Sequence, residues 1–216
     1  MTARTALALF AHPDDETLAC GGTLASLVER GWSVQVAIVS DGVVTARGGE
    51  QDNRSHAADA CAVLGLDAPR FLGFPDQRFD TVAVSDIVNA ARPLLPADLV
   101  ITNASTDLND DHRIVSHAAR VLARPIDGPM ALLEAEVPGG SAWNGAAFVA
   151  DWYVDVSAHL SRKLKALRCY RNETRAFPHP CAPESIEALA VVHGAASGLG
   201  RAEAFHLVRG YADLLP

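Results

Sequence analysis

Four short apolar runs, TALALF (5–10), SVQVAIVS (33–40), RFLGF (70–74) and DLVITN (98–103), alternate with stretches of helical period at Leu18–Arg30, Ser55–Leu64 and Val84–Leu95. Runs that are nearly continuously apolar suit strands covered on both faces, and regular alternation with helices is the pattern of a mostly parallel sheet between two helical layers. Gly31 and Gly65 each follow a helical stretch where a left-handed C-terminal cap would sit. The second half is less regular. MALLEAEV, WYVDVS and AEAF read as further strands, His159–Arg171 and Glu184–Ser197 as helices, and EVPGGSAWNG as a surface loop. A chain of 216 residues without a linker segment is expected to form one α/β domain over 1–216.

In open parallel sheets, ligands bind beyond the carboxyl ends of the strands. Here those ends read AHPDDE, SDGVVTARGG and ASTDLNDDHR. The first is the most loaded: His12, Asp14, Asp15 and Glu16 follow a buried-looking strand, with Pro13 suited to a first helical turn. Acids are favoured at a helix N-terminus by its dipole, which accounts for one or two carboxylates and leaves the histidine unexplained. A histidine and a carboxylate three apart can converge on one cation, and catalytic zinc sites take three N and O ligands with a position left for water. His112, at the loop-to-helix junction after DLVITN, is the natural third ligand. His117 lies about 500° further round the same helix and faces elsewhere.

Composition narrows the classes. A net charge of −8 argues against a nucleic-acid backbone as the main partner. The longest apolar run is too short to cross a bilayer, and the four cysteines form no CxxC pair, so a cytoplasmic protein with reduced, mostly buried thiols is expected. A nucleotide-binding protein is disfavoured because no GxGxxG follows the first strand, and acids at that helix start would repel a pyrophosphate.

AHPDDETLACGGTLA, followed by SDGVVTARGG and TDLNDDHR, resembles the PIG-L/LmbE-like family of zinc-dependent de-N-acetylases. LGFPDQRFD, EVPGGSAW, PHP and AEAF extend the resemblance over essentially the whole chain, toward one bacterial branch. It implies a Rossmann-like fold and hydrolysis of an N-acetyl group from an N-acetylglucosamine-type conjugate such as a sugar nucleotide or a glycosylated metabolite. Carried over, His12, Asp15 and His112 would hold Zn2+ and Asp14 would be the general base. Iron or cobalt would accept the same ligands. Many members carry a histidine three residues before the last ligand, where this chain has Asn109, an amide that can donate to an oxyanion but cannot shuttle a proton. His179 of FPHPCAP is the candidate to supply that function.

For substrate contacts, Arg54 is preferred because a matching arginine follows the Gly-rich loop in similar proteins, with Arg47 and Arg78 as the other basic residues near the strand ends. Asp41 is expected to orient a ligand histidine or to cap the next turn. Glu136 and Trp143 flank a loop that Gly139 and Gly140 would make mobile; Trp143 could stack on a sugar ring, and Glu203 could line the pocket. The alternatives to a GlcNAc-conjugate deacetylase are a metal-dependent hydrolase of another amide and a catalytically silent metal- or sugar-binding module. A homo-oligomer is left open.

Overall fold

The computed structural model describes residues 3–45 and 49–216. Its first strand, β1 (Thr5–Phe10), is buried along nearly its whole length, and its side chains alternate between two separate cores. Ala6, Ala8 and Phe10 face one, Leu7 and Leu9 the other. That two-sided burial is why TALALF carries no polar residue after Thr5.

The chain continues through α1 (Asp15–Glu29), β2 (Ser33–Ser40), a small ribbon of β3 (Val43–Val44) and β4 (Gln51–Asp52), α2 (Arg54–Leu64), β5 (Arg70–Phe74) and α3 (Val84–Ala91). It then crosses back to β6 (Leu99–Asn103) and runs on through α4 (Asp110–Leu122), β7 (Ala131–Ala135), α5 (Pro138–Trp143), β8 (Trp152–Asp155), α6 (Leu160–Leu167), α7 (Pro183–Ser197) and β9 (Ala202–Arg209). The seven-stranded sheet has the order β5-β2-β1-β6-β7-β9-β8. Its first five strands pair in parallel, while β9 is antiparallel to both β7 and β8. The fold is thus the expected α/β sheet with helices on both faces. Gly31 and Gly65 take the left-handed conformation anticipated for them, at φ 81° and 84°.

The topology reverses between β1 and β6: β2 and β5 extend the sheet on one side of β1, and β6 and β7 on the other. The loops leaving β1 and β6 therefore diverge and open a crevice, the usual ligand position in such sheets.

Three local expectations are corrected. The first helix begins at Asp15 rather than Leu18, so Pro13 lies in the turn before it, and Asp14 is its N-cap residue at φ 111°. The same helix is kinked at Cys20, whose φ of −143° is not helical. EVPGGSAWNG holds a short helix, α5, started by Pro138 at a position where its missing N–H costs nothing.

Candidate active site

His12 and Asp15 stand at the end of β1, and His112 in the first turn of α4 beyond β6, all three buried. One ligand atom from each lies within 4.8 Å of the others, so the trio forms a group able to hold a metal ion. His12 Nδ1 and His112 Nε2 face each other at 3.2 Å, and Asp15 Oδ2 is 3.7 Å from the first and 3.3 Å from the second. Asp15 is held by the His12 N–H at 3.0 Å and by the Asn103 amide at 3.1 Å, while Asn103 itself accepts from the Ala11 N–H.

The outer ring nitrogens are also engaged. His12 Nε2 meets Asp111 Oδ2 at 3.0 Å and Asp76 Oδ1 at 3.4 Å, and His112 Nδ1 lies 3.1 Å from Asp107 Oδ2. With a carboxylate about 3 Å from each outer nitrogen, the tautomers that carry the ring proton there leave the inner nitrogens with lone pairs facing each other, an arrangement that a shared cation would satisfy. Two imidazoles and one carboxylate are a donor set that suits zinc. Burial pushes the His112 imidazolium down, but Asp15, Asp107 and Asp111 outweigh burial and hold its pKa above the usual value.

The carboxylates that orient the histidines are fixed in turn. Asp111 Oδ1 accepts from the Phe79 N–H at 3.0 Å, Asp76 accepts from the N–H and hydroxyl of Thr45, and Asp107 accepts from the Asn109 N–H. The Phe79 ring stacks on His12 with centroids 5.9 Å apart. An added Cβ at Gly140 would collide with the Asp107 carboxylate. That glycine therefore permits close approach to a residue orienting His112, and the expectation that Gly139 and Gly140 serve mobility is corrected: both lie in α5.

Around the trio is a cavity of about 550 Å3, lined among others by Asp14, Asp80, Leu108, Asn109, Trp143, Glu173 and His179. Asp14 is half-buried, and its N–H is held by Glu16 Oε2 at 3.2 Å. Glu16 is fully buried, and burial raises its pKa although Thr17 and Tyr170 both donate to it at 2.6 Å. Asn109 caps α4, its side-chain oxygen accepting from the Asp111 N–H at 2.9 Å. Its amide NH2 keeps donor capacity at the cavity wall. His179 Nδ1 accepts from the Cys181 N–H at 3.1 Å, which places the proton of the neutral ring on Nε2. Trp143 stands edge-on to His179 with centroids 5.1 Å apart.

Several expected contacts lie elsewhere. Glu203 is committed to a buried pair with Lys163 at 2.6 Å and accepts from the Gly22 and Thr23 N–H groups, so it braces the kinked α1 and does not line the main cavity. Glu136 turns away to His193 and Ser141, both at 2.7 Å. Asp41 caps the Val43 N–H, and the orienting carboxylates are instead Asp107 and Asp111. Arg54 is exposed and paired with Asp52 at 2.6 Å, a bond that lowers the Asp52 pKa to about 2. Arg78 lines an adjoining cleft that shares Asp76 and Gln77 with the main cavity. Arg47 lies outside the described residues, and His117 is exposed. Sequence reasoning did not single out Asp76, Asp107 or Asp111 as orienting groups, although TDLNDDH contains two of them.

A family model described as GlcNAc-PI de-N-acetylase matches residues 7–123, more than half of the chain and all of the trio. The chain belongs to this PIG-L family. An uncharacterized deacetylase of Escherichia coli is 28% identical over 175 residues, spanning 77% of this chain and 90% of that protein. A probable N-acetyl-alpha-D-glucosaminyl L-malate deacetylase of Bacillus cereus is 25% identical, over 81% of this chain and 86% of its own. Among solved structures, a conserved protein of Thermus thermophilus superposes with a TM-score of 0.77 at 25% identity, covering 98% of both chains. The N,N'-diacetylchitobiose deacetylase of Pyrococcus horikoshii shares the fold, with a TM-score of 0.75 at 19% identity over 99% of this chain and 89% of that one. So does a 4-carboxy-2-hydroxymuconate hydratase of Pseudomonas putida, with a TM-score of 0.74 at 19% identity over 99% of each chain. The frame alone does not choose the chemistry; the site must.

Proposed function

We propose that the protein is a zinc-dependent hydrolase that removes the acetyl group from an N-acetylglucosamine-type conjugate, releasing acetate and the free amine. The observation that carries the reading is the convergence of His12, Asp15 and His112 in a family whose model is described as a de-N-acetylase. Zinc held by these three would supply a Lewis acid and a water of lowered pKa. A cytoplasmic setting belongs to the same reading, supported by Cys20, Cys61, Cys169 and Cys181 as free thiols.

The remaining work falls to side chains in the cavity. Asp14, beside the trio, takes the proton of the attacking water and returns it to the departing nitrogen. A positive φ at a non-glycine residue is uncommon and concentrates at functional turns, which supports a role for Asp14 beyond capping. As the acetamide carbon becomes tetrahedral, its oxygen gains negative charge, which Asn109 and His179 would stabilise as donors; both line the cavity. His179 is also of a side-chain type that accepts and returns protons, which the Asn109 amide is not.

The test is metal content and amine release measured together on the full chain reconstituted with zinc, using a panel of N-acetylglucosamine conjugates. Asp14→Ala is expected to keep its zinc and lose turnover by about 100-fold or more. His12→Ala is expected to lose the zinc. Full turnover in Asp14→Ala would remove that residue from the mechanism, and a wild-type protein that binds no metal would remove the mechanism itself.

A further inference from the structure

The cavity wall is acidic and carries two large apolar side chains. It holds the trio with Asp14, Asp76 and Asp111, and no lysine or arginine occurs among the described lining residues. Its exposed part combines Gln77, Asp80 and Asp110 with Leu108 and Trp143, which are 51% and 59% exposed. Large apolar side chains left in water at the rim of a cavity mark a surface that a ligand covers. Trp143 is braced edge-on by His179 and carried on α5, whose Gly140 packs against Asp107. The platform is therefore built on the same supports as the metal ligands.

Charge and apolar surface select on different grounds. A phosphate or carboxylate beside the sugar would have to enter a cavity whose described ionisable groups, apart from three histidines and Cys181, are all carboxylates. An uncharged group avoids that repulsion, and an apolar one gains by covering Leu108 and Trp143. We propose that the substrate is an N-acetylated aminosugar whose aglycone is uncharged and apolar, seated against Leu108 and Trp143. This rests on the deacetylase reading, and it sets aside sugar nucleotides as substrates.

The experiment uses the zinc-loaded full chain with methyl, phenyl and 4-carboxyphenyl glycosides of N-acetylglucosamine in both anomers, reading KM from amine release and Kd by calorimetry. The phenyl glycoside is expected to show KM and Kd about tenfold below those of the methyl and carboxyphenyl glycosides. Trp143→Ala is expected to bring the phenyl-to-methyl ratio to about one. A carboxyphenyl glycoside that binds as well as the phenyl one overturns the proposal, as does a phenyl preference that survives in both Trp143→Ala and Leu108→Ser. If no glycoside releases amine while calorimetry still ranks phenyl first, the apolar seat stands and the deacetylase reading falls. If release occurs without any ranking, the reverse holds.

Discussion

Asp14 adopts φ 111° and ψ −26°, a conformation that costs an L-residue with a Cβ about 1–2 kcal/mol and costs glycine almost nothing. A helix N-cap needs no such geometry, since aspartate caps well from extended backbone. The strain is instead offset locally: the Asp14 carbonyl accepts from the Thr17 and Leu18 N–H groups, and its own N–H is held by Glu16. The contrast predicts that stability and activity separate at this residue. Asp14→Gly should be more stable than Asp14→Ala by about 1 kcal/mol in urea denaturation, with both lacking turnover. Equal stabilities would mean that the turn relaxes in the variants and stores no strain. The identities of His12, Asp15 and His112 as neighbours were legible because strand ends and three-residue spacing are local facts. The strained backbone of Asp14 was not, since AHPDDE is equally compatible with an ordinary capped helix.

At the scale of elements, α1 is two helical pieces joined at Cys20, and the second piece starts with its N–H groups bound by a carboxylate from β9. Glu203 thus substitutes for an N-cap residue while neutralising the buried Lys163 of α6. Gly22 is required there because an added Cβ would fall 2.8 Å from Val156. Glu203→Gln should cost about 3–5 kcal/mol in chemical denaturation by stranding the Lys163 charge, and Glu203→Gln with Lys163→Met should recover much of it. A raised KM without loss of stability would instead restore Glu203 to the substrate. A second carboxylate joins β7 to α4: Glu134 accepts from Ser116 at 2.6 Å, from Arg120 at 2.7 Å and from Ser105. Burial pushes its pKa up, yet Arg120 and the two serines outweigh burial and hold it below the ordinary 4.5. A lowered folded pKa contributes stability above the unfolded value that is lost as pH falls through the folded one. Denaturation titrations between pH 6 and about pH 3 should therefore show a shallower acid loss for Glu134→Gln than for the parent, from a lower starting stability. Identical slopes would mean that Glu134 does not couple folding to protons. Neither clamp could be read from sequence, because together they join residues 14 to 181 positions apart.

Over the whole molecule, the parallel half of the sheet was legible because each of its strands is a distinct apolar run, whereas the order β7-β9-β8 depends on which edge remains open once five strands are in place. The same limit applies to the site. Asp76, Asp107 and Asp111 are three of many acids in the sequence, and only the folded crevice sets them against two histidines. The fold thereby gathers buried negative charge at the switch point, and a cation that binds there stabilises the folded state by mass action. At about 100 times its dissociation constant, zinc should add about 2.7 kcal/mol, roughly 5–10 °C in melting temperature for a chain of this size. Eight histidines and four cysteines also offer zinc some purchase on the unfolded chain, which would act in the opposite direction. His12→Ala separates the two effects. It removes a ligand of the folded site and leaves the unfolded-state ligands almost intact, so added zinc should leave its melting temperature unchanged or lower it. A rise as large as that of the parent would place the stabilising ion somewhere other than His12, Asp15 and His112.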